Sequence, residues 1–144
     1  AISGTLGDLG PAQPITWTIF INNSSETIVY MSSDALTCAD IAGRDGSRWL
    51  LKTAMGSQVV EIVVPTAIAK VGTVDVGRGK AEINYAPGGK SSANEQNAAS
   101  GSVTFTKIEA ESVLEGTFEA TYENPTGNVS GNFHAEFCAD GQEY

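Results

Sequence analysis

The clearest patterning lies in the last third of the chain. Phe118, Ala120 and Tyr122 fall on one face of an alternating run, and Thr117, Glu119, Thr121 and Glu123 fall on the other. After the turn signal Asn124-Pro-Thr-Gly-Asn128 the alternation resumes, with Phe133, Ala135 and Phe137 opposite His134 and Glu136. A period of two marks a half-buried strand. With Gly101-Ser-Val-Thr-Phe-Thr106 ahead of them, these segments predict three consecutive antiparallel strands closed by Cys138. The motif Gly-x-Phe-x-Ala occurs in them twice, at 116–120 and 131–135. We read it as hairpin symmetry, each glycine letting a strand bend before an aromatic enters the core.

Shorter pieces upstream carry the same signature. Residues 2–6 form a first strand, ahead of a loop built on Gly7, Asp8, Gly10, Pro11 and Pro14. In 15–21, Trp17, Ile19 and Ile21 share one face, and Thr16, Thr18 and Phe20 share the other. Phe20 on the polar face implies cover on both sides near the strand end. The turn Asn22-Asn-Ser-Ser25 joins this strand to 27–32 as a hairpin. Residues 48–53 and 58–64 form a second hairpin around Met55-Gly56-Ser57, and Pro65 stops it. The β-branched run Val59, Val60, Ile62, Val63 and Val64 marks a central strand. A third pair, 72–76 with 81–85, turns at Gly77-Arg-Gly-Lys80. Between the first two hairpins, Asp34 caps a short helical turn over Ala35, Leu36 and Cys38 that Gly43 ends. Residues 87–98 are the lowest-complexity segment and read as a surface loop rather than a linker. About nine short strands at regular spacing point to an all-β fold, an antiparallel β-sandwich of jelly-roll or Ig-like kind. The expectation is a single domain over 1–144.

Composition supports this picture and narrows the partners. With 144 residues the chain is long enough for a real core, and 16 glycines with only 17% charged residues favour strands and turns over long helices. The net charge is −9, with 8 Lys+Arg and no cationic cluster, so neither nucleic acid nor an anionic membrane surface is an expected partner. No run of 18 apolar residues is present to span a membrane as a helix. Ala1 is expected to be the start of a processed chain whose signal peptide was removed.

Cys38 and Cys138 are the two cysteines, at a separation that fits neither a zinc site nor a Cys-x-x-Cys redox pair. A long-range disulfide and two buried thiols both remain open at this point. The disulfide is favoured, and it places the chain in an oxidising compartment.

Three segments carry a resemblance: Gly101 to Thr106, then Val113-Leu-Glu-Gly-Thr-Phe-Glu-Ala120, then Val129-Ser-Gly-Asn-Phe-His-Ala-Glu-Phe-Cys138. They resemble the closing region of a group of small exported domains and lipoproteins of Gram-negative bacteria. Ile28-Val-Tyr-Met-Ser-Ser-Asp-Ala-Leu-Thr-Cys38 is similar to that group's strand-Ser-Asp-x-x-x-Cys segment. The match covers about a third of the chain. It implies a β-sandwich with bridged cysteines, in the envelope or outside the cell, and it implies no activity.

The chemistry-bearing residues are sparse. His134 is the single histidine, on the polar face of a strand, where a solvated side chain is the simpler reading. No nucleophile elbow, zinc-protease motif or phosphate loop is present, and Gly77-Arg-Gly-Lys80 is explained by a turn. Glu109, Glu111, Glu115, Glu119 and Glu123 supply the carboxylates that acid–base glycoside chemistry needs, but their alternation suits a solvated ladder that resists edge pairing. Asp34, Asp40 and Asp45 surround Cys38 and are the candidate ligands for calcium, a hard cation that takes oxygen donors. Trp17 and Trp49 lie in apolar alternation and read as core, as do Tyr30, Tyr85 and Tyr122.

The expected function is therefore non-catalytic: a structural or assembly protein of the cell surface or extracellular matrix. Its partner is a further copy of itself, with Ala1-Ile-Ser-Gly-Thr-Leu6 paired in its own sheet or donated to a neighbour's sheet edge. The alternative is a secreted binding module with a sugar or other small ligand.

Overall fold

Valine, isoleucine, threonine and aromatic residues fill the segments that become strands, as their fit to a pleated, half-buried surface predicts. The computed structural model describes residues 2–6, 17–22, 25–33, 59–86, 96–109, 112–123 and 126–138. Ten strands occur among them: β1 (Ile2–Leu6), β2 (Trp17–Asn22), β3 (Glu26–Ser32), β4 (Val59–Pro65), β5 (Gly72–Asp75), β6 (Glu82–Ala86), β7 (Gln96–Asn97), β8 (Ser100–Glu109), β9 (Val113–Glu123) and β10 (Thr126–Phe137). A 3-10 turn at Thr66–Ile68 follows β4. The protein is all-β, as expected. The helical turn expected near Cys38 and the strand expected at 48–53 lie outside the described residues.

The strands make two antiparallel sheets that meet at β10. The first has the order β5-β8-β9-β10, with β1 added along the far edge of β10. The second has the order β2-β3-β4-β6-β7. A short parallel contact, Glu136 with Ile19 and Phe137 with Phe20, joins them. Cys138 extends that corner by donating its backbone N–H to Phe20 O at 2.8 Å. At the opposite corner the chain itself crosses between the sheets. Ala98 N–H bonds Ile83 O at 3.0 Å in the second sheet, and Ala99 N–H bonds Thr121 O at 2.8 Å in the first.

The three closing strands pair as predicted, β8 with β9 and β9 with β10, and β2 pairs with β3 as a hairpin. β4 pairs with β3 on one edge and with β6 on the other, and the partner expected from 48–53 lies outside the described residues. One other pairing differs from expectation. β5 and β6 do not form a hairpin: β5 pairs with β8, and β6 pairs with β4 and β7. Between them, Gly79 takes a left-handed φ of 74° and Lys80 N–H closes on Gly77 O at 3.0 Å. The two sides of this turn are joined by an isolated parallel bridge, Val76 with Ala81, rather than by a ladder: Ala81 N–H donates to Asp75 O and Gly77 N–H to Ala81 O, each at 3.1 Å. It therefore acts as a corner that sends the chain from one sheet to the other.

The core lies between the sheets and draws on both. Phe105, Phe118, Tyr122, Phe133, Val103 and Leu114 from the first sheet meet Phe20, Val29, Met31, Ile62, Ile83 and Tyr85 from the second. On β2 Phe20 is a core residue, so the face it shares with Thr18 is covered near the strand end, and its ring lies 5.4 Å from that of Phe137. β3 is covered on both sides: Ile28, Tyr30 and Ser32 are buried on the face opposite Val29 and Met31.

The repeated Gly-x-Phe-x-Ala motif has a role different from strand bending. In the β9–β10 register Gly116 stands opposite Phe133, and Gly131 stands opposite Phe118. Each glycine leaves room for the aromatic of the other copy. Gly116 is also opposite Phe105 on β8, and the Phe105 and Phe133 rings meet edge-on at 6.2 Å. A Cβ at 116 would lie 2.2 Å from Thr104 O and 2.8 Å from the Phe133 ring tip, so the close approach demands glycine.

Candidate functional site

Outward-facing residues of the first sheet align into rows across its strands. One row is Thr73, Thr104, Thr117 and Asn132; the next is Asp75, Ser102, Glu119 and Ser130. A third holds Ser100, Thr121 and Asn128, and a fourth, beyond the β8 irregularity between Phe105 and Lys107, holds Lys107, Glu115 and His134. Strand geometry puts neighbours in a row about 4.8 Å apart and successive rows about 7 Å apart. The Thr73 and Thr104 hydroxyls hydrogen-bond each other at 2.9 Å.

This face is grooved. Three shallow depressions of about 460, 640 and 560 Å³ run along it in sequence. The first and second share Ser102, Glu119 and Ser130, and the second and third share Thr117 and Asn132. From Thr121 to Glu115 along β9 the groove extends about 20 Å at strand rise. Thr18 of β2 lines its far end, beside His134.

His134 is exposed, and its Nδ1 lies 2.7 Å from Glu115 Oε1. Glu109 receives Lys107 Nζ at 3.4 Å. Glu119 and Glu123 are exposed on β9, as the alternation predicts, and Glu111 lies outside the described residues. Gly77-Arg-Gly-Lys80 is the corner turn already described. Arg78 lines a separate depression of about 360 Å³ with Asn84 and Asn97.

Asp34, Asp40 and Asp45, the candidate calcium ligands, lie outside the described residues, as do Cys38 and Trp49. Among the described residues no cluster of three or more His, Cys, Asp or Glu side chains is arranged to hold a metal. Cys138 is fully buried at the end of β10, and no free cysteine occurs among the described residues.

A buried polar pair sits on the second sheet. Tyr30, Glu61, Asn84 and Asn97 align in one row across β3, β4, β6 and β7. Asn84 Nδ2 donates to Glu61 Oε1 at 3.0 Å, and both side chains are buried. Between the sheets, Tyr122 donates its hydroxyl to Ile83 O at 3.2 Å, and its ring lies 6.3 Å from that of Tyr85. Burial pushes the Tyr85 phenol up to about 12. Burial, and then the neighbouring Tyr85, raise Tyr122 further.

β1 forms a second feature of functional interest. Its register runs from Ile2 opposite Gly131 to Leu6 opposite Gly127, in five antiparallel residue pairs. It pairs with residues 127–131 of the same β10 edge on which β2 pairs with residues 136 and 137. Both larger apolar residues of β1 thus stand opposite glycines, which carry no side chain of their own.

The sequence reading found the glutamates and the histidine, but not the hydroxyl rows that surround them. The signal was present in Ser102, Thr104 and Thr106 alternating along β8, matched by Thr117 and Thr121 on β9. Comparison with protein-family models, with curated proteins and with solved structures finds no match.

Proposed function

We propose that this protein is a non-catalytic structural or assembly module of the cell exterior, whose copies link by exchanging β1. The observation that carries the reading is the β1 ladder: a five-residue strand paired antiparallel to the β10 edge, with Ile2 opposite Gly131 and Leu6 opposite Gly127. A strand held in this way makes the same hydrogen bonds whether it comes from its own chain or from another copy. Exchange then costs little in contacts and is governed by the connection between β1 and β2. The two sheets are read as the layers of a β-sandwich of jelly-roll or Ig-like kind. A bridge from Cys138 to Cys38 fits the burial of Cys138 at the β10–β2 corner, and it belongs with export to an oxidising compartment. The resemblance to exported Gram-negative envelope domains points the same way.

Deletion of residues 1–9 tests the reading. Light scattering of the full chain is expected to show concentration-dependent oligomers, and the deletion variant is expected to remain folded but monomeric. A synthetic peptide of residues 1–9 should bind that variant. A full chain that stays monomeric at all concentrations, or a deletion variant that assembles like the full chain, refutes strand exchange.

A further inference from the structure

We propose that the groove along β8, β9 and β10 binds a linear polysaccharide of amino sugars, whose protonated amines lie between Asp75 and Glu119. Three observations on this face carry the proposal. Beside the Asp75 and Glu119 carboxylates, the outward-facing side chains that line it are hydroxyls and amides, which both donate and accept, as sugar hydroxyls do. The three depressions are continuous and together long enough for several sugar rings in a row.

The third observation is charge. Asp75 and Glu119 flank Ser102 in one register row. Among the described residues, neither that row nor the adjoining row of Thr73, Thr104, Thr117 and Asn132 holds a lysine, arginine or histidine. The basic side chains of this face stand at the other end, where Lys107 meets Glu109 and the His134 ring meets Glu115. The acidic end is therefore complementary to an amine, and charge-assisted hydrogen bonds to a carboxylate are the stronger kind. The net charge of −9 draws a cationic polymer toward the surface. An extended basic peptide is the less suited occupant. Peptides of that kind add to a sheet by pairing with an edge strand, whereas this groove lies on the face of the sheet.

Calorimetric titration of the intact chain with a glucosamine pentamer at mildly acidic pH tests the proposal. Saturable binding is expected, and Glu119→Gln should weaken it about tenfold, the loss of one charge-assisted bond. Thr117→Val, also exposed, should weaken it without changing net charge. A glucose pentamer is expected to bind at least about tenfold less tightly, because it lacks the amine. The deletion of residues 1–9 should leave saccharide binding intact, so this result and the assembly result are read separately. No saturable binding of the glucosamine pentamer overturns the proposal, as does an affinity unchanged in both point variants with native circular dichroism. A glucose pentamer that binds equally well overturns the amine assignment. Equal binding by pentalysine shows a surface for cations in general and overturns the saccharide.

Discussion

The two sheets solve burial differently. In the first, β9 alternates without a break: Leu114, Gly116, Phe118, Ala120 and Tyr122 are buried, while Thr117, Glu119, Thr121 and Glu123 are exposed. In the second, β3 is buried on both faces from Thr27 to Ser32, and β4 and β6 carry the buried Glu61–Asn84 pair on the side away from the core cluster. One sheet has a core face and a water face. The other has a core face and a second interior, in which a carboxylate is held by an amide donor. Alternation reveals function only in the first case, because water sorts residues there by polarity. In the second, apolar residues occur at both parities, and the polar exceptions are structural.

The sharpest test of the first sheet is Gly116→Ala. The added methyl meets the Thr104 carbonyl, a backbone atom, and the Phe133 ring, so it cannot be relieved by a flexible side chain alone. A loss of about 3 kcal/mol is expected, at the upper end for overpacking a filled core. Gly77→Ala is the control, since a Cβ added there would meet only Lys80 Cδ, on a flexible side chain, at 3.6 Å. Urea unfolding of both variants measures the difference. Equal stability would mean that the reciprocal Gly–Phe arrangement does not hold the sheet together.

The second sheet is tested by Asn84→Leu. The substitution removes a donor to a buried carboxylate, and hydrogen bonds to charged groups contribute about 1.5–3 kcal/mol. A destabilisation of about 2 kcal/mol is expected, largely restored by adding Glu61→Leu, because an apolar pair needs no donor. If the double variant is as unstable as the single one, the row Tyr30, Glu61, Asn84 and Asn97 does more than satisfy its own members.

These contrasts explain how much was legible in the sequence. The β8-β9-β10 meander was readable because its outer face meets water and its turns are short. The burial of Phe20 is legible as cover on its face of the strand, but 15–21 carries large apolar residues at both parities, so alternation alone cannot choose the core side. The sequence marks β5 and β6 as strands and suggests that they pair, whereas β5 joins β8 and β6 joins β4. A period of two fixes faces and says nothing about neighbours, and the turn residues Gly77 and Gly79 serve a corner as well as a hairpin. The groove was missed for a related reason: threonine and serine read as strand formers, and rows across strands exist only once register is known. The placement of β1 opposite Gly127 and Gly131 is likewise a matter of register, which the sequence alone does not carry.

The tyrosines between the two sheets give the smallest effect and join the two cases. Tyr85 belongs to the second sheet and Tyr122 to the first, and the Tyr122 hydroxyl bonds a second-sheet carbonyl. At neutral pH Tyr122→Phe should cost about 1 kcal/mol, the net worth of one neutral hydrogen bond. Alkaline pH amplifies the signal. In the unfolded chain both phenols ionise near 10, whereas Tyr85 in the folded protein holds its proton to about 12 and Tyr122 holds it longer. The unfolded state therefore binds fewer protons above pH 10, so stability falls as pH rises. The stabilisation is complete below pH 10 and declines through the range up to about 12, with a limiting slope of about 1.4 kcal/mol per pH unit for each phenol. Tyr122→Phe should remove one phenol's share of that slope while leaving the rest. Chemical unfolding at pH 8, 10 and 11 measures it. A variant that loses stability as steeply as the parent would show that the seam between the sheets opens before Tyr122 titrates, and that the two sheets are less firmly joined than their shared core implies.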